Sequence, residues 1–574
     1  MGKFLLGLVT GLFLVFLTLV LVAFAAWRFR DKPPEIEANS VLVVNLQGEI
    51  PEKPPMEMPA ILGGDHPGLT LTSLWMTLQK AAADPHIKAI VLKPEGISAG
   101  WAKLEEMRAD LDQFRKSGKP VYAYLRSPGA REYYLAMAAD RIYLGGSDLL
   151  MVRGLRAEMM FFKKTLDKLG VVVEVEHAGK YKDFGDMFTR SDMSPETHEV
   201  MNALVDDLYG NMLSKIAAGR RKTPDEVRGI VDRGPFTATQ ALQAGLVDAL
   251  KYEDEMWGDL KDRLKSGEPH KVALDEYLKV PLESVGLGGK SRIALVVAEG
   301  DIVRGNPDDN GADENDLTSY GFNKLLRKVR NDSSIQGVIV RIDSPGGEEV
   351  ASDEMWREMS LLSRKKPLVI SMSDVAASGG YDMAMTGDPI VAYPETETGS
   401  IGVVFGKPNL HGLYDKLGIT KDAVERGKHA DVESDYTPLT PDERQMLQRG
   451  IDESYRDFVT RVAAARHRTF AQIEPLAQGR VWLGDQARER GLVDQLGGLD
   501  TALDLVKQKA KIPARDHVSL VMYPSRRNIL DMILRRETED PLQTRLAQVF
   551  GRVPFHAWMK GGMLRVMPYW LTIQ

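Results

Sequence analysis

The chain has no cysteine in 574 residues. That single absence removes disulfides, thiolate zinc sites, iron–sulfur clusters and cysteine nucleophiles together, so any nucleophile must be an oxygen or an amine. Charge of one sign is also lacking: 74 Lys and Arg stand against 81 Asp and Glu, a net of −7, which leaves no basic footprint for nucleic acid. Histidine is scarce, ten in all, and His411, His429 and His467 in the second half fall in no zinc or triad spacing. No cofactor and no metal is expected. Long apolar runs are absent but for one, from Phe4 to Trp27, closed by Arg28, Arg30 and Lys32. Its 24 residues suffice to cross a bilayer with some tilt, and they exceed the usual 7 to 15 of a signal-peptide core. Residues 1–32 are therefore read as a retained transmembrane anchor, although Ala23-Phe24-Ala25 resembles a cleavage site. Flanking charge leaves the orientation open.

What remains is ordinary globular composition, 43% apolar and 27% charged, at a length that calls for more than one folding unit. The chain repeats itself. Ile87 to Gly96 (IKAIVLKPEG) matches Ile335 to Ser344 (IQGVIVRIDS), Tyr133 and Asp140 match Tyr381 and Asp388, and Asp167-Lys168-Leu169-Gly170 matches Asp415-Lys416-Leu417-Gly418, all 248 residues apart; GLVDAL from Gly245 matches GLVDQL from Gly491 at 246. One register held over that span is not chance. The expected organisation is repeat one at 40–265, a linker at 266–291, repeat two at 292–510 and a tail at 511–574. β-branched runs alternate with helical periodicity within each copy, which predicts an α/β fold with a largely parallel sheet. Gly286 to Ser291 imitates the end of a phosphate-binding loop, but Ser284 stands where that loop needs its first glycine, so a linker is the better reading.

The copies differ where chemistry would sit. Repeat two has Ala377-Ser378-Gly379-Gly380 where repeat one has Gly129-Ala130-Arg131-Glu132; repeat one has Lys180 and Lys182 where repeat two has Lys428 and Ala430. Asp343-Ser344-Pro345-Gly346-Gly347 likewise faces Glu95-Gly96-Ile97-Ser98-Ala99. A serine before two glycines is by itself most often a turn, and a lysine in a polar stretch a solvated surface group. The paired loss in one register singles them out: one Ser/Lys site shared between halves that are inert alone. A serine hydroxyl needs a base, and a desolvated lysine can serve. Gly379 and the Gly346-Gly347 turn are candidates to present N–H groups to an oxyanion.

The motifs DSPGG from Asp343, AASGGY from Ala376, TGSIGV from Thr398 and GKYK from Gly179 make the chain similar to the signal peptide peptidase A (protease IV) family, in its long form with two tandem domains. The resemblance covers the anchor and both repeats. It implies Ser378 as nucleophile, Lys182 as general base, Ser400 as the residue that orients the lysine, and Gly379 and Gly347 as oxyanion donors. It further implies two crotonase/Clp-protease-like domains, each a spiral of ββα units, assembled as a homotetramer in the bacterial inner membrane with the catalytic bulk outside the cytoplasm. Signal peptides left in the bilayer would be its substrates. Glu348-Glu349 after DSPGG and Asp183-Phe184-Gly185 after GKYK depart from the family's usual residues, which bears on substrate preference. The tail is expected to lie at the membrane interface or to pack on a neighbouring subunit. Two other functions stay open at this point, a crotonase-like acyl-CoA enzyme and a non-catalytic membrane scaffold.

Overall fold

The computed structural model describes residues 2, 7, 10–18, 34–54, 68–305, 316–524, 562–568 and 572–573. Residues 10–18 are helical, with Leu12 to Leu17 exposed, and the rest of the expected anchor lies outside the described residues. No helix among the described residues is long and apolar enough to cross a membrane.

Each repeat is built on a parallel sheet. In the first, the strand order is His270–Ala273, Ser40–Gly48, Ile87–Ile97, Val121–Leu125, Arg141–Leu144 and Ala249–Leu250, with every neighbouring pair parallel. The second repeats that order with Val518–Tyr523, Ser291–Glu299, Ile335–Ser344, Leu368–Ala377, Ile390–Ala392 and Gln495–Leu496. Runs such as Val338-Ile339-Val340 are buried throughout because helices cover both faces of a parallel sheet. Local contacts repeat as well as strands do. Tyr133 Oη donates to the Leu246 carbonyl at 2.7 Å, and Tyr381 Oη to that of Leu492 at 2.8 Å. The long helices Pro195–Arg220 and Pro441–Ala465 both open on a hydroxyl followed by proline: Ser194 accepts from the Thr197 N–H, Thr440 from that of Glu443.

Two segments differ from the sequence-based division. Within 266–291, His270–Ala273 is the outermost strand of the first sheet and Leu274–Leu278 a helix whose Leu274 and Tyr277 are buried in its core. Within 511–574, Val518–Tyr523 takes the same place in the second sheet, pairing Ser291 with Val518 as Ser40 pairs with His270. Each repeat thus closes on a strand that the boundaries left out. Strands of four and six residues are too short to carry a period of their own.

The repeats are joined by buried charge and by a shared sheet. Arg341, fully buried, donates to Glu52 at 2.8 Å and Glu106 at 2.5 Å, both contributed by repeat one. Lys103 of repeat one lies 2.7 Å from Asp343 and 3.9 Å from Glu299 of repeat two. Burial opposes its charge, but the carboxylates of Asp343, Asp374, Glu52 and Glu299 hold the amine above its ordinary value. Trp75 enters a cluster of Ile293, Leu295, Ile339, Val369 and Val391 and donates from its indole to Asp500 at 2.8 Å. The shared sheet runs Asp316–Thr318, Asp301–Val303, Gly346–Glu348, Gly562–Val566, Val403–Asn409 and Val172–Ala178. It carries the candidate site.

Candidate active site

Ser378 stands at the corner between the strand Leu368–Ala377 and the helix Gly379–Met383, with φ +52° and ψ −113°. That conformation costs a serine about 1–3 kcal/mol and persists only where the surroundings impose it. They do: Ser378 N–H donates to the Gly399 carbonyl and Asp382 N–H to the Ser378 carbonyl, both at 2.8 Å. A sharp strand-to-helix corner of this kind is how a nucleophile elbow presents its hydroxyl.

The lysine arrives by exchange of a strand. Val172–Ala178 leaves its own repeat and pairs antiparallel with Val403–Asn409 of the other, from Val403 with Ala178 to Asn409 with Val172. Past Ala178 the chain turns at Gly179, and the next two backbone N–H groups are caught by one residue of repeat two: Tyr181 donates to the Gln478 carbonyl at 2.7 Å, Lys180 to its side-chain oxygen at 3.0 Å. A Cβ on Gly479 would fall 2.6 Å from the nitrogen of Lys182, so only glycine admits the lysine backbone this close.

Lys182 is fully buried, and its Nζ lies 2.8 Å from Ser378 Oγ, 2.9 Å from Ser400 O and 2.9 Å from Ser400 Oγ. Loss of water drives the amine well below its ordinary pKa of 10.5; Asp183 opposes this and Arg565 adds to it. The structure therefore brings Lys182, Ser378 and Ser400 into direct contact. Ser400, itself at φ +51°, is anchored by its N–H on the Arg480 carbonyl at 2.8 Å. Asp183, which departs from the family pattern, donates nothing to this cluster; it accepts from Thr197 Oγ1, and burial pushes its carboxyl up to about 6. Lys180 is over half exposed and 3.9 Å from Glu196, so the two lysines of GKYK occupy different environments.

Gly379 and Gly347 converge on the same corner. A Cβ on Gly346 (φ +99°) would fall 2.6 Å from the Gly379 nitrogen, and one on Gly347 (φ +155°) 2.1 Å from the Ile302 carbonyl oxygen. Backbone meets backbone there. Gly379 opens its helix, so its N–H has no acceptor within it. Reasoning from sequence missed the strand Gly562–Val566, which lies between Gly346–Glu348 and Val403–Asn409. The strands described in the expected tail, Val518–Tyr523, Gly562–Val566 and Thr572–Ile573, thus all pair with strands of this chain. Five residues, two of them glycine or arginine, give no periodic signal. Among the described residues, no three His, Asp or Glu side chains are grouped to hold a metal ion.

Residues 113–266 and 360–513 each match the model of Peptidase family S49. The chain belongs to this family. Among its relatives, "Serine protease SPPA, chloroplastic" from Arabidopsis thaliana is 36% identical over 493 residues, 85% of this chain and 71% of the relative. "Protease 4" from Salmonella typhi is 31% identical over 552 residues, 92% and 87% of the respective chains. ClpP1 from Listeria monocytogenes, a solved structure, aligns with 36% of this chain and 91% of its own at 15% identity and a TM-score of 0.21, too slight a likeness to build on. This S49 peptidase is a serine protease with two tandem S49 domains of mixed α/β structure. At the position that corresponds to Ser378, the first of those domains has Ala130.

Proposed function

We propose that this S49 peptidase is a membrane-anchored endopeptidase that uses Ser378 as nucleophile and Lys182 as general base to degrade signal peptides left in the membrane. The observation that carries the reading is the 2.8 Å contact between the buried Lys182 amine and Ser378 Oγ, made by residues of different repeats. A neutral amine has two N–H groups and one lone pair. Ser400 accepts the two N–H groups through its carbonyl and its hydroxyl, which leaves the lone pair for the Ser378 proton. The serine oxygen then attacks the peptide carbonyl, and the N–H groups of Gly379 and Gly347 stabilise the negative oxygen that forms. Lys182 returns the proton to the departing amine and takes another from the water that hydrolyses the ester.

Resemblance to the family supports the finer picture: domains that are crotonase/Clp-like spirals of ββα units, four chains in a homotetramer, and active sites outside the cytoplasm beside the inner membrane. The apolar run from Phe4 to Trp27 supports the anchor. The test is hydrolysis of a quenched fluorescent peptide with a basic flank and an apolar core by the detergent-solubilised protein. Ser378→Ala and Lys182→Ala are each expected to lower kcat/KM by about 10³-fold or more, with Lys180→Ala close to wild type. Full activity in folded, equally assembled Ser378→Ala or Lys182→Ala overturns the reading.

A further inference from the structure

The strand Gly562–Val566 lies beside Ser378 in the position of a bound peptide. It runs antiparallel to Gly346–Glu348 on one side and to Val403–Asn409 on the other. Met567 N–H donates to the Pro345 carbonyl at 2.8 Å, so residues 345 and 567 form a hydrogen-bonded pair. In an antiparallel ladder such pairs alternate, and the next is Gly347 with Arg565. Gly347 N–H thus points at the carbonyl oxygen of Arg565, and the same oxygen lies 3.0 Å from where a Cβ on Gly379 would stand. The two glycines assigned to the oxyanion flank one carbonyl, and it belongs to Arg565.

The side chain of Arg565 is 3% exposed. Its guanidinium pairs with Asp382, stands 3.0 Å from Glu349 and 3.2 Å from Ser454 Oγ, and lies over the Phe458 ring at 4.9 Å. Asp382 is also held by Arg461 at 2.9 Å, but Glu349 meets no other cation among the described residues. Without Arg565 the pocket keeps two buried or half-buried carboxylates and a single guanidinium. Two carboxylates placed around a planar slot suit the fork of an arginine better than a lysine's point charge.

We infer that Asp382 and Glu349 form the primary specificity pocket of this peptidase, that it selects arginine on the acyl side of the cut, and that the chain's own Arg565–Val566 bond is a substrate. The inference rests on Ser378 being the nucleophile. Ser378 Oγ bonds to the Arg565 carbonyl carbon, the bond to the Val566 nitrogen breaks, and that amine leaves with the proton Lys182 carried. Water then hydrolyses the ester, which gives a carboxylate on Arg565 and restores the serine. Until then the segment occupies the groove against other peptides. Signal peptides begin with a positively charged stretch, so an arginine pocket places the first cut at that basic flank rather than in the apolar core.

The test uses the full chain and two fluorogenic peptides that differ only in arginine or leucine before the scissile bond. Arginine is expected to be favoured by about 10²-fold in kcat/KM, and Glu349→Gln to reduce that ratio about tenfold or more. Asp382→Asn serves as a second variant, checked for folding because Arg461 also depends on it. Mass spectrometry of the purified chain is expected to find a new carboxyl terminus at Arg565 in the wild type and not in Ser378→Ala. Leucine cleaved as well as arginine, an unchanged ratio in Glu349→Gln, or a wild-type chain that stays uncut at Arg565 each overturns the inference and leaves the Ser378 reading intact. Peptide cleavage by Ser378→Ala removes the Ser378 reading itself, and this inference with it.

Discussion

Repeat one and repeat two build the same corner and fill it differently. In repeat two, the strand Leu368–Ala377 turns into the helix Gly379–Met383 through a strained serine, and the glycines Gly347 and Gly379 flank the carbonyl of Arg565. In repeat one, Val121–Leu125 leads to Ala130–Ala136, and the carboxylate of Glu132 takes the N–H of Ile97 at 2.8 Å and that of Gly129 at 2.9 Å. Glu132 is the counterpart of Gly380. The N–H groups it holds belong to Ile97 and Gly129, the counterparts of Pro345 and Ala377, so it ties the corner to its own helix as a capping residue does. The first copy's corner is held by its own carboxylate, and what that copy supplies to the cluster around Ser378 is a strand that carries Lys182 across.

Each difference between the copies can be reversed or removed. The largest effect is expected at Lys182, whose counterpart is Ala430. Lys182→Met is expected to lower turnover by about 10³-fold or more while the melting temperature rises, because a fully desolvated amine is replaced by an apolar side chain of similar length; assay and calorimetry on one preparation check both. In the wild type, kcat/KM is expected to rise with pH as the lysine loses its proton, with a midpoint well below 10.5.

Next comes Lys103, which faces three carboxylates of repeat two and has Ala351 as its counterpart. Lys103→Met leaves those acids without their cation, and a loss of about 3–5 kcal/mol is expected in the first urea transition. Glu395, where repeat one has Ser147, separates the copies by pH. Burial raises its carboxyl to about 8, and both oxygens lack hydrogen-bond partners. The unfolded chain ionises it above about 4.5 and the folded one only near 8, so stability is expected to fall by roughly 5 kcal/mol as pH rises through that window. Glu395→Gln should flatten the slope. The smallest effect is expected for Glu132→Ala, about 1–2 kcal/mol from two N–H groups left unpaired, with peptide hydrolysis unchanged.

The repeat, its sheet class and the Ser/Lys pair were legible because one register runs through long, strongly patterned segments. Tyr133 and Tyr381 sit 248 apart in sequence and make the same hydrogen bond. Other features were not legible, for a common reason. His270–Ala273, Val172–Ala178 and Gly562–Val566 are short strands whose positions are decided by partners far away in the chain. Local pattern has no information about such a partner. Glu349 was marked by its departure from the family, but Asp382 and Arg565 have meaning only once the strand is seen to bring them together.

The exchanged strand also sets a clock. Lys182 precedes Ser378 by 196 residues, and chains are made from the amino end at about 5–20 residues per second. Under the proposed roles of Lys182 and Ser378, the growing chain has a base and no nucleophile for some tens of seconds on the ribosome, and the serine joins it only when the second sheet has folded onto the waiting strand. On that assignment, partial chains and half-folded ones are harmless to their surroundings, because the power to cut appears only with completion.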